Sequence, residues 1–259
     1  MDLGLRGRRA LVFGGSRGMG YAAARMFAAE GVAVTIAARD PGRLARAAAT
    51  LSEETGIPVV PVVADLSTEA GRAAALDACP HPDILVNNAD GPPPGDFRQW
   101  SRDDWIRAAD SVMLGPIAMI RLVLDGMIAR GFGRIVNIGS RSVKSPQADH
   151  ELSNAARLGL VGFVAGIARE AVRHGVTINT ILPGIFATDA QRHHVAALAR
   201  HTGRAFEDIW AERARTNPAG RFGDPAEFGA LCAWLCSARS GFITGQGILI
   251  DGGAYPGTF

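Results

Sequence analysis

Apolar residues along this chain form two alternating kinds of segment. The first kind is short, rich in β-branched residues and almost continuously apolar, as strands are when both faces of a parallel sheet are covered. These runs are Ala10–Phe13, Val32–Ala37, Val59–Ala64, Ile84–Val86, Ile135–Ile138, Val176–Ile181 and Ile248–Ile250. The second kind is longer, rich in Ala, Leu and Arg, and favours helix: Tyr21–Glu30, Pro41–Thr55, Trp105–Arg130, Ser153–His174 and Pro225–Ser237. The alternation predicts an α/β fold, a single doubly wound Rossmann-type parallel sheet with helices on both faces.

The 259 residues suffice for one domain with a substantial core, and no repeat or linker divides them. We therefore predict a single dinucleotide-binding domain over residues 1–259, with a substrate lid around residues 189–217. Arg and Glu interrupt the apolar stretches, which we expect to be too short to span a bilayer. The first residues lead into the first strand without a signal-peptide pattern, so we expect a cytoplasmic protein with no membrane partner.

Charge and cysteine content argue against several functional classes. Lys and Arg total 27 and Asp and Glu total 25, so the net charge is +2, and the basic residues are spread along the chain. This distribution argues against a nucleic-acid partner. The three cysteines have no further Cys or His at ligand spacing nearby, so we predict no metal site.

The strongest chemical signal is the glycine-rich segment between the first predicted strand and the first predicted helix. Gly14, Gly18 and Gly20 let the backbone turn tightly and approach a ligand, while N–H groups at the helix N-terminus face its charge. Such turns also occur without a ligand, but this position in an α/β fold predicts a pyrophosphate-binding loop. The other loop residues predicted to contact the cofactor are Ser16, Arg17 and Met19.

The end of the second predicted strand indicates which nucleotide is preferred. A fold that prefers NAD places an acid there to bind the ribose 2′-OH, whereas arginine suits a 2′-phosphate. Ala38 leaves the acid position without a carboxylate, and Arg39 and Arg17 supply two guanidinium groups. Asp40 is better explained as the N-cap of the next helix, with Pro41 at its first position. We therefore predict NADP(H) as the cofactor, with a protein that uses no cofactor as the alternative.

Over nearly its whole length the chain resembles the short-chain dehydrogenase/reductase family, of the β-ketoacyl-carrier-protein-reductase-like kind. The glycine-rich segment matches the family's Thr-Gly-x-x-x-Gly-x-Gly except that Phe13 replaces the Thr, and Pro183–Thr188 resembles its Pro-Gly-x-x-x-Thr. The resemblance implies a homotetramer that acts on a small-molecule or carrier-bound substrate. It also implies further cofactor contacts at Asp65, Leu66, Asn87, Ala89, Ile185 and Thr188.

The catalytic positions of that family are mostly replaced in this chain. The resemblance implies a set of Ser, Tyr, Lys and Asn, of which Ser140 is retained. Ser153 stands where the Tyr belongs, Arg157 replaces the Lys, and Val112 replaces the Asn. A Ser hydroxyl is a far weaker acid than a phenol of pKa about 10, so Ser153 cannot supply the proton. Arg157, with a pKa above about 12, can bond ribose hydroxyls but cannot relay a proton.

Two other residues are candidates to replace the missing groups, since Tyr21 on the first helix and Tyr255 in the tail are expected away from the chemistry. Lys144, the only lysine, follows Ser140 in a stretch similar to a reductase-like subgroup with an imperfect catalytic set. It is either a functional cation near the substrate or an exposed lysine. His150 is either a substitute acid or a solvated loop histidine.

Three further residues with ionisable side chains lie in or near the predicted site. His193 and His194 lie in the predicted lid, where we expect them on a solvated helix face. Asp90 departs from the family's Asn-Asn-Ala-Gly, and a carboxylate near cofactor phosphates is unfavourable unless it is paired or turned away. The simpler interpretation is that Asp90 only starts the turn at residues 91–95.

These observations leave three functional hypotheses. The first is an atypical NADP(H)-binding oxidoreductase acting on a carbonyl or conjugated carbonyl group. The second is a non-redox enzyme on the same fold, a cyclase, dehydratase, lyase or isomerase that uses Lys144 and His150 for acid–base work. The third is a pseudoenzyme that serves as a partner subunit. The retained glycines favour the first hypothesis, and the replaced catalytic residues favour the other two.

Overall fold

The computed structural model describes residues 1–258, and these contain a sheet of seven parallel strands in the order β3-β2-β1-β4-β5-β6-β7. The strands are β1 (Arg9–Phe13), β2 (Ala33–Ala38), β3 (Val59–Val63), β4 (Ile84–Asn87), β5 (Gly133–Ile138), β6 (Val176–Pro183) and β7 (Gly247–Ile250). Every predicted strand is present with small shifts at its ends. The strand order reverses between β1 and β4, which is the point where a doubly wound sheet opens a crevice at its carboxyl edge.

Helices connect the strands, and their starts follow from local capping chemistry. They are α1 (Gly18–Ala29), α2 (Pro41–Thr55), α3 (Glu69–Ala78), α4 (Arg102–Ala109), α5 (Gly115–Ala129), α6 (Glu151–Ala171), α7 (Asp189–Thr202), α8 (Phe206–Thr216) and α9 (Pro225–Leu235). The Asp40 carboxylate accepts a hydrogen bond from the Arg43 N–H at 2.9 Å, which confirms it as the N-cap of α2. This helix ends at Gly56, whose φ of +70° suits glycine.

Sequence periodicity gave no bounds for α3, α7 or α8, although a helix was expected at His193 and His194, and the physical reason is the shallow burial of these helices. In α3 only Gly71 and Ala75 are buried, in α7 only Val195, and in α8 only Ile209. A helix that buries so little carries no broad apolar stripe for periodicity to detect. The residues predicted as a lid therefore form two helices, and their role as a lid stays a prediction.

The stretch predicted as one helix over residues 105–130 is a longer and interrupted element. It begins at Arg102, where Ser101 and Asp104 form a capping box, and a π turn at Asp110–Leu114 separates α4 from α5. The whole stretch Arg102–Ala129 is long and apolar enough to cross a membrane by length and composition. The expectation that no apolar stretch reaches that length is therefore wrong, although core helices also pass this test.

Two apolar clusters cover the two faces of the sheet. One packs α1, α2 and α9 against the strands through fully buried residues such as Phe27, Leu51 and Phe228. The other packs α5 and α6 through residues such as Met119 and Val164. Each such side chain stabilises the fold by roughly 1.5–3 kcal/mol of transfer free energy. The predicted arrangement of helices on both faces is thus confirmed, and it leaves the carboxyl edge of the sheet free for a site.

Candidate cofactor and active-site cleft

A cleft of about 530 Å³ lies at the carboxyl edge of the sheet, between the loops that follow β1 to β5 and the start of α7. Its position at the strand-order reversal is where doubly wound folds bind nucleotides. Most residues predicted to contact the cofactor line this cleft. They are Gly14, Ser16, Arg17, Gly18, Met19, Arg39, Asp65, Leu66, Ala89 and Thr188.

The glycine-rich loop has the backbone shape that a phosphate cradle requires. Gly14 and Gly18 have φ values of +63° and +59°, a region that side-chain-bearing residues rarely adopt. Gly20 is buried under the loop, where a Cβ would collide with the carbonyl oxygen of Gly14. No side chain caps the start of α1, and its first turn carries no acid. The free N–H groups of this helix end are therefore available to an anion.

Three predicted cofactor residues do not line this cleft. Gly20 affects the shape of the cleft indirectly, because it packs closely against the carbonyl oxygen of Gly14. Asn87 is buried and donates from Nδ2 to Asn137 Oδ1 at 2.9 Å, so its side chain ties β4 to β5 instead of facing the cleft. Ile185 lines a separate, smaller cavity. Asn87 and Ile185 therefore do not line the cleft, their contact with a cofactor stays a prediction, and Asn88 lines the cleft next to Ala89.

At one end of the cleft, which we call the adenosine end because the predicted contacts with adenosine lie there, Asp90 pairs with both predicted phosphate-binding arginines. Its Oδ2 lies 2.8 Å from Arg39 Nη2, and its Oδ1 lies 3.6 Å from Arg17 Nη2. The interpretation of Asp90 as merely the start of a turn is therefore wrong. Its carboxylate joins the loop after β4 to the loops after β1 and β2.

Asp65 at the end of β3 is held as a carboxylate by its surroundings. Burial opposes its ionisation, but hydrogen bonds from Ser67 and the positive charge of Arg39 hold the pKa of Asp65 below its ordinary value. Its Oδ1 accepts from the Ser67 N–H at 2.9 Å and the Ser67 hydroxyl at 2.7 Å. It therefore stays a hydrogen-bond acceptor at this end of the cleft at neutral pH.

At the other end of the cleft, which we call the reaction end because the predicted catalytic residues lie towards it, Ser153 and Arg157 are hydrogen-bonded to each other. Arg157 Nε donates to Ser153 Oγ at 3.1 Å, and its Nη1 donates to the carbonyl oxygens of Ile138 and Gly139, each at 3.0 Å. Burial lowers the pKa of Arg157 to about 10. This is below the value expected from sequence, but Arg157 still carries its charge at pH 7. Of the five predicted catalytic residues, it alone lines the cleft.

Ser140, Lys144 and His150 lie on the segments between β5 and α6. Ser140 is half-buried, and its Oγ accepts from the Ser142 N–H at 3.1 Å, which caps a short 3₁₀ turn. His150 Nδ1 lies 3.0 Å from the carbonyl oxygen of Ala148. Both side chains are thus engaged with backbone groups of their own loop.

The C-terminal tail folds back onto the segment that carries Lys144. Lys144 Nζ lies 5.9 Å from the centroid of the Tyr255 ring, a cation–π contact. The Tyr255 N–H donates to Asp251 Oδ2 at 2.8 Å, which fixes the turn that returns the tail. Tyr255 therefore contacts one of the predicted catalytic residues, contrary to the expectation that the tail would keep it apart.

Sequence reasoning missed a group of basic residues between the predicted lid and the active-site segments. His193 is exposed as expected, but His194 is half-buried. Burial and the charges of Arg213 and His150 lower the pKa of His194. Arg213 on α8 has a buried Nε for which residues 1–258 supply no hydrogen-bond partner, and burial and the charge of Arg141 lower its pKa. A basic residue in a weakly patterned helix gives no sequence signal of such a position.

The helix that carries Val112 contains a π turn next to the cleft. Val112, which the sequence resemblance places at the family's Asn position, is buried within the π turn at Asp110–Leu114. This turn shifts the helix register where it passes the cleft residue Ser111.

Among residues 1–258, no group of three or more His, Cys, Asp or Glu side chains is placed to hold a metal ion.

Comparison with known proteins agrees with this architecture. The profile of the family described as Enoyl-(Acyl carrier protein) reductase matches residues 14–255. The chain is 34% identical to the 3-oxoacyl-(acyl-carrier-protein) reductase FabG of Vibrio harveyi over 257 residues, which are 98% of this chain and 99% of that protein. It is 37% identical to the acetoacetyl-CoA reductase of Cupriavidus necator over 175 residues, which are 68% of this chain and 67% of that protein.

The fold is also close to that of solved enzymes. The crystal structure of L-sorbose reductase from Gluconobacter frateurii, complexed with NADPH and L-sorbose, superposes with a TM-score of 0.95 at 28% identity. The match covers 100% of both chains. The protein therefore belongs to the short-chain dehydrogenase/reductase family of oxidoreductases, and its relatives include FabG-like reductases.

Proposed function

We propose that this protein is an atypical NADP(H)-dependent oxidoreductase acting on a carbonyl or conjugated carbonyl group of a small-molecule or carrier-bound substrate. The observation that carries the proposal is the pair Arg17 and Arg39 at the adenosine end of the cleft, with no acid at the end of β2. Two guanidinium groups suit a 2′-phosphate, and the missing acid removes the usual ligand of a free 2′-OH.

The residues present fit a nicotinamide dinucleotide, because the cradle at Gly14 and Gly18 and the uncapped start of α1 match a pyrophosphate. Arg39 and Arg17 would hold the 2′-phosphate, Asp65 the adenine and Thr188 the carboxamide. When bound, the cofactor supplies or accepts a hydride. Several relatives are reductases and one was solved with NADPH, so the alternative of a protein that uses no cofactor has no support.

The reaction end of the cleft supplies charge rather than an ordinary acid. Arg157 is fixed by Ser153 and two backbone carbonyls, so its remaining guanidinium nitrogen, Nη2, is held in place near Gly91. A fixed cation there stabilises negative charge that develops on a carbonyl oxygen. Conjugated carbonyl compounds suit this arrangement, because hydride can add to carbon while the enolate oxygen is stabilised.

Proton transfer then falls to a group other than Ser153. We assign Ser140 to orienting the carbonyl and Lys144 to providing a second positive charge. His150 or water is the proton source, because a serine hydroxyl is too weak an acid to replace tyrosine. The non-redox alternative would use Lys144 and His150 without hydride transfer, and the pseudoenzyme alternative would use neither.

A direct test follows the oxidation of NADPH by absorbance with matched pairs of saturated ketones and conjugated enones. We expect turnover that is faster with the enones and falls in Arg39→Asp, while Arg46→Asp on the exposed face of α2 is unchanged. Turnover without any nicotinamide nucleotide would favour the non-redox enzyme. Absence of turnover with co-purification of a related chain would favour the pseudoenzyme.

Exposed apolar side chains support the predicted homotetramer. Leu114, Leu122 and Leu158 are each about half exposed on the π turn, α5 and α6, and Phe242 is fully exposed. Exposed apolar residues grouped on neighbouring elements are typical of protein interfaces. Light scattering of the purified protein tests this proposal, and a monomeric mass would contradict it.

A further inference from the structure

Asp90 occupies a position that connects three cofactor-binding loops. It lies after β4, whereas Arg39 directly follows β2 and Arg17 lies in the loop before α1. The carboxylate reaches both guanidinium groups, at 2.8 Å and 3.6 Å. All three residues line the cleft. The two cations that we assign to the 2′-phosphate thus already have an anionic partner within the chain.

This ion pair is weakly held. The Arg39 and Asp90 side chains are 65% and 61% exposed, and Arg17 Nη2 lies beyond hydrogen-bond distance from Asp90. Exposed ion pairs contribute little to stability because water and salt screen them. A doubly ionised phosphate can therefore displace the Asp90 carboxylate from Arg39, but the two anions then lie near each other and repel.

We propose that Asp90 is a nucleotide-specificity residue that competes with the 2′-phosphate for Arg39 and Arg17. This inference rests on the proposed NADP(H) function and refines it. Asp90 lowers the affinity for NADP(H), whereas NAD(H) has no phosphate at this position and is hardly affected. The protein therefore discriminates between the two nucleotides less strongly than its two arginines would allow.

The test measures dissociation constants of NADPH and NADH by calorimetry for the wild type and for Asp90→Asn. We expect Asp90→Asn to bind NADPH about five- to tenfold more tightly and NADH within about twofold of the wild type. Asp96→Asn is the matched control, because Asp96 is an exposed acid in the same loop that, within residues 1–258, pairs only with Arg98. It should leave both constants unchanged.

A second arm shows whether Asp90 acts through Arg39. In an Arg39→Ala background, Asp90→Asn should lose most of its effect on NADPH, since the shared partner is gone. An unchanged or weaker NADPH affinity in Asp90→Asn would overturn the inference.

Different results would contradict the proposed function and this inference. A wild type that prefers NADH would contradict the function, and a gain in NADPH affinity by Asp90→Asn would still support the inference. If neither protein binds any nicotinamide nucleotide, both are overturned.

Discussion

The two ends of the cleft differ in how their charged groups are held. At the adenosine end, Arg39 and Arg17 lie in exposed side-chain pairs with Asp90 that a ligand can exchange. At the reaction end, Arg157 is fixed by one hydroxyl and two backbone carbonyl oxygens. Exchangeable charges suit binding and release of a nucleotide, whereas a fixed charge suits stabilisation of a transition state. We therefore expect the replacements at Ser153 and Arg157 to affect chemistry more than cofactor binding.

The largest expected effect is at the reaction end. Arg157→Met should lower kcat/KM about 100-fold or more, because it removes a preorganised cation and leaves two carbonyl oxygens without their donor. Arg157→Lys should retain part of the activity. Steady-state kinetics checks this, with Arg169→Met on the exposed face of α6 as control. Equal activity in Arg157→Met would remove this residue from the mechanism.

The next largest effect is expected at Arg39, where a substitution should change nucleotide affinity but not kcat. Arg39→Ala should weaken NADPH binding about 10- to 100-fold, as loss of a charge-assisted hydrogen bond does, and leave NADH binding nearly unchanged. Its kcat at saturating NADPH should stay close to that of the wild type. Fluorescence titration gives the affinities, and an equal loss for both nucleotides would contradict the assignment of Arg39 to the 2′-phosphate.

A smaller effect is expected at Lys144, which offers a chemical handle because it is the only lysine. Acetylation with an amine-reactive reagent removes its charge, and we expect about a tenfold loss of turnover without loss of NADPH affinity. The variant Lys144→Arg keeps the charge and can be acetylated only at the chain's amino terminus. If the treated variant loses as much turnover as the treated wild type, Lys144 has no role in the reaction.

The smallest effect concerns the stability of the fold around the predicted lid. Burial and the nearby charges lower the pKa of His194, so the unfolded state takes up the proton first as the pH falls. The stability due to neutral His194 is present above about pH 6.5 and is lost as the pH falls through the folded-state pKa. Between pH 7.5 and 5.5, the melting temperature of His194→Gln should therefore fall by a few degrees less than that of the wild type.

The exposed neighbour provides the control for this measurement. His193→Gln should follow the wild type across the same pH range, because His193 lies on the solvent side of α7. If the melting temperatures of the wild type and of His194→Gln respond equally to pH, this histidine is not held neutral by its surroundings.

The fold was predictable because its signals are local and repeated. Apolar runs such as Ile135–Ile138 are typical of strands covered on both faces, and caps such as Asp40 mark helix starts. The glycine-rich loop was predictable for the same reason, since Gly14 and Gly18 are required by backbone shape. Helices that bury one residue, such as α7 and α8, carry no comparable signal.

The site was predictable only in part, because side-chain partners depend on distant loops. The pairing of Asp90 with Arg39 joins residues 51 positions apart, and nothing in the local sequence indicates it. The same holds for the contact of Tyr255 with Lys144 and for the buried Nε of Arg213. Sequence position placed Ser153 and Arg157 one helical turn apart, but only the structure shows that they bond to each other.

The most direct test is calorimetric titration of the purified protein with NADPH, NADP⁺, NADH and NAD⁺ under identical salt conditions. We expect NADPH and NADP⁺ to bind more tightly than NADH and NAD⁺, by about tenfold or more. Failure to bind any of the four, or tighter binding of NADH and NAD⁺, would contradict the claim that this chain keeps an NADP(H) site beside an altered reaction centre.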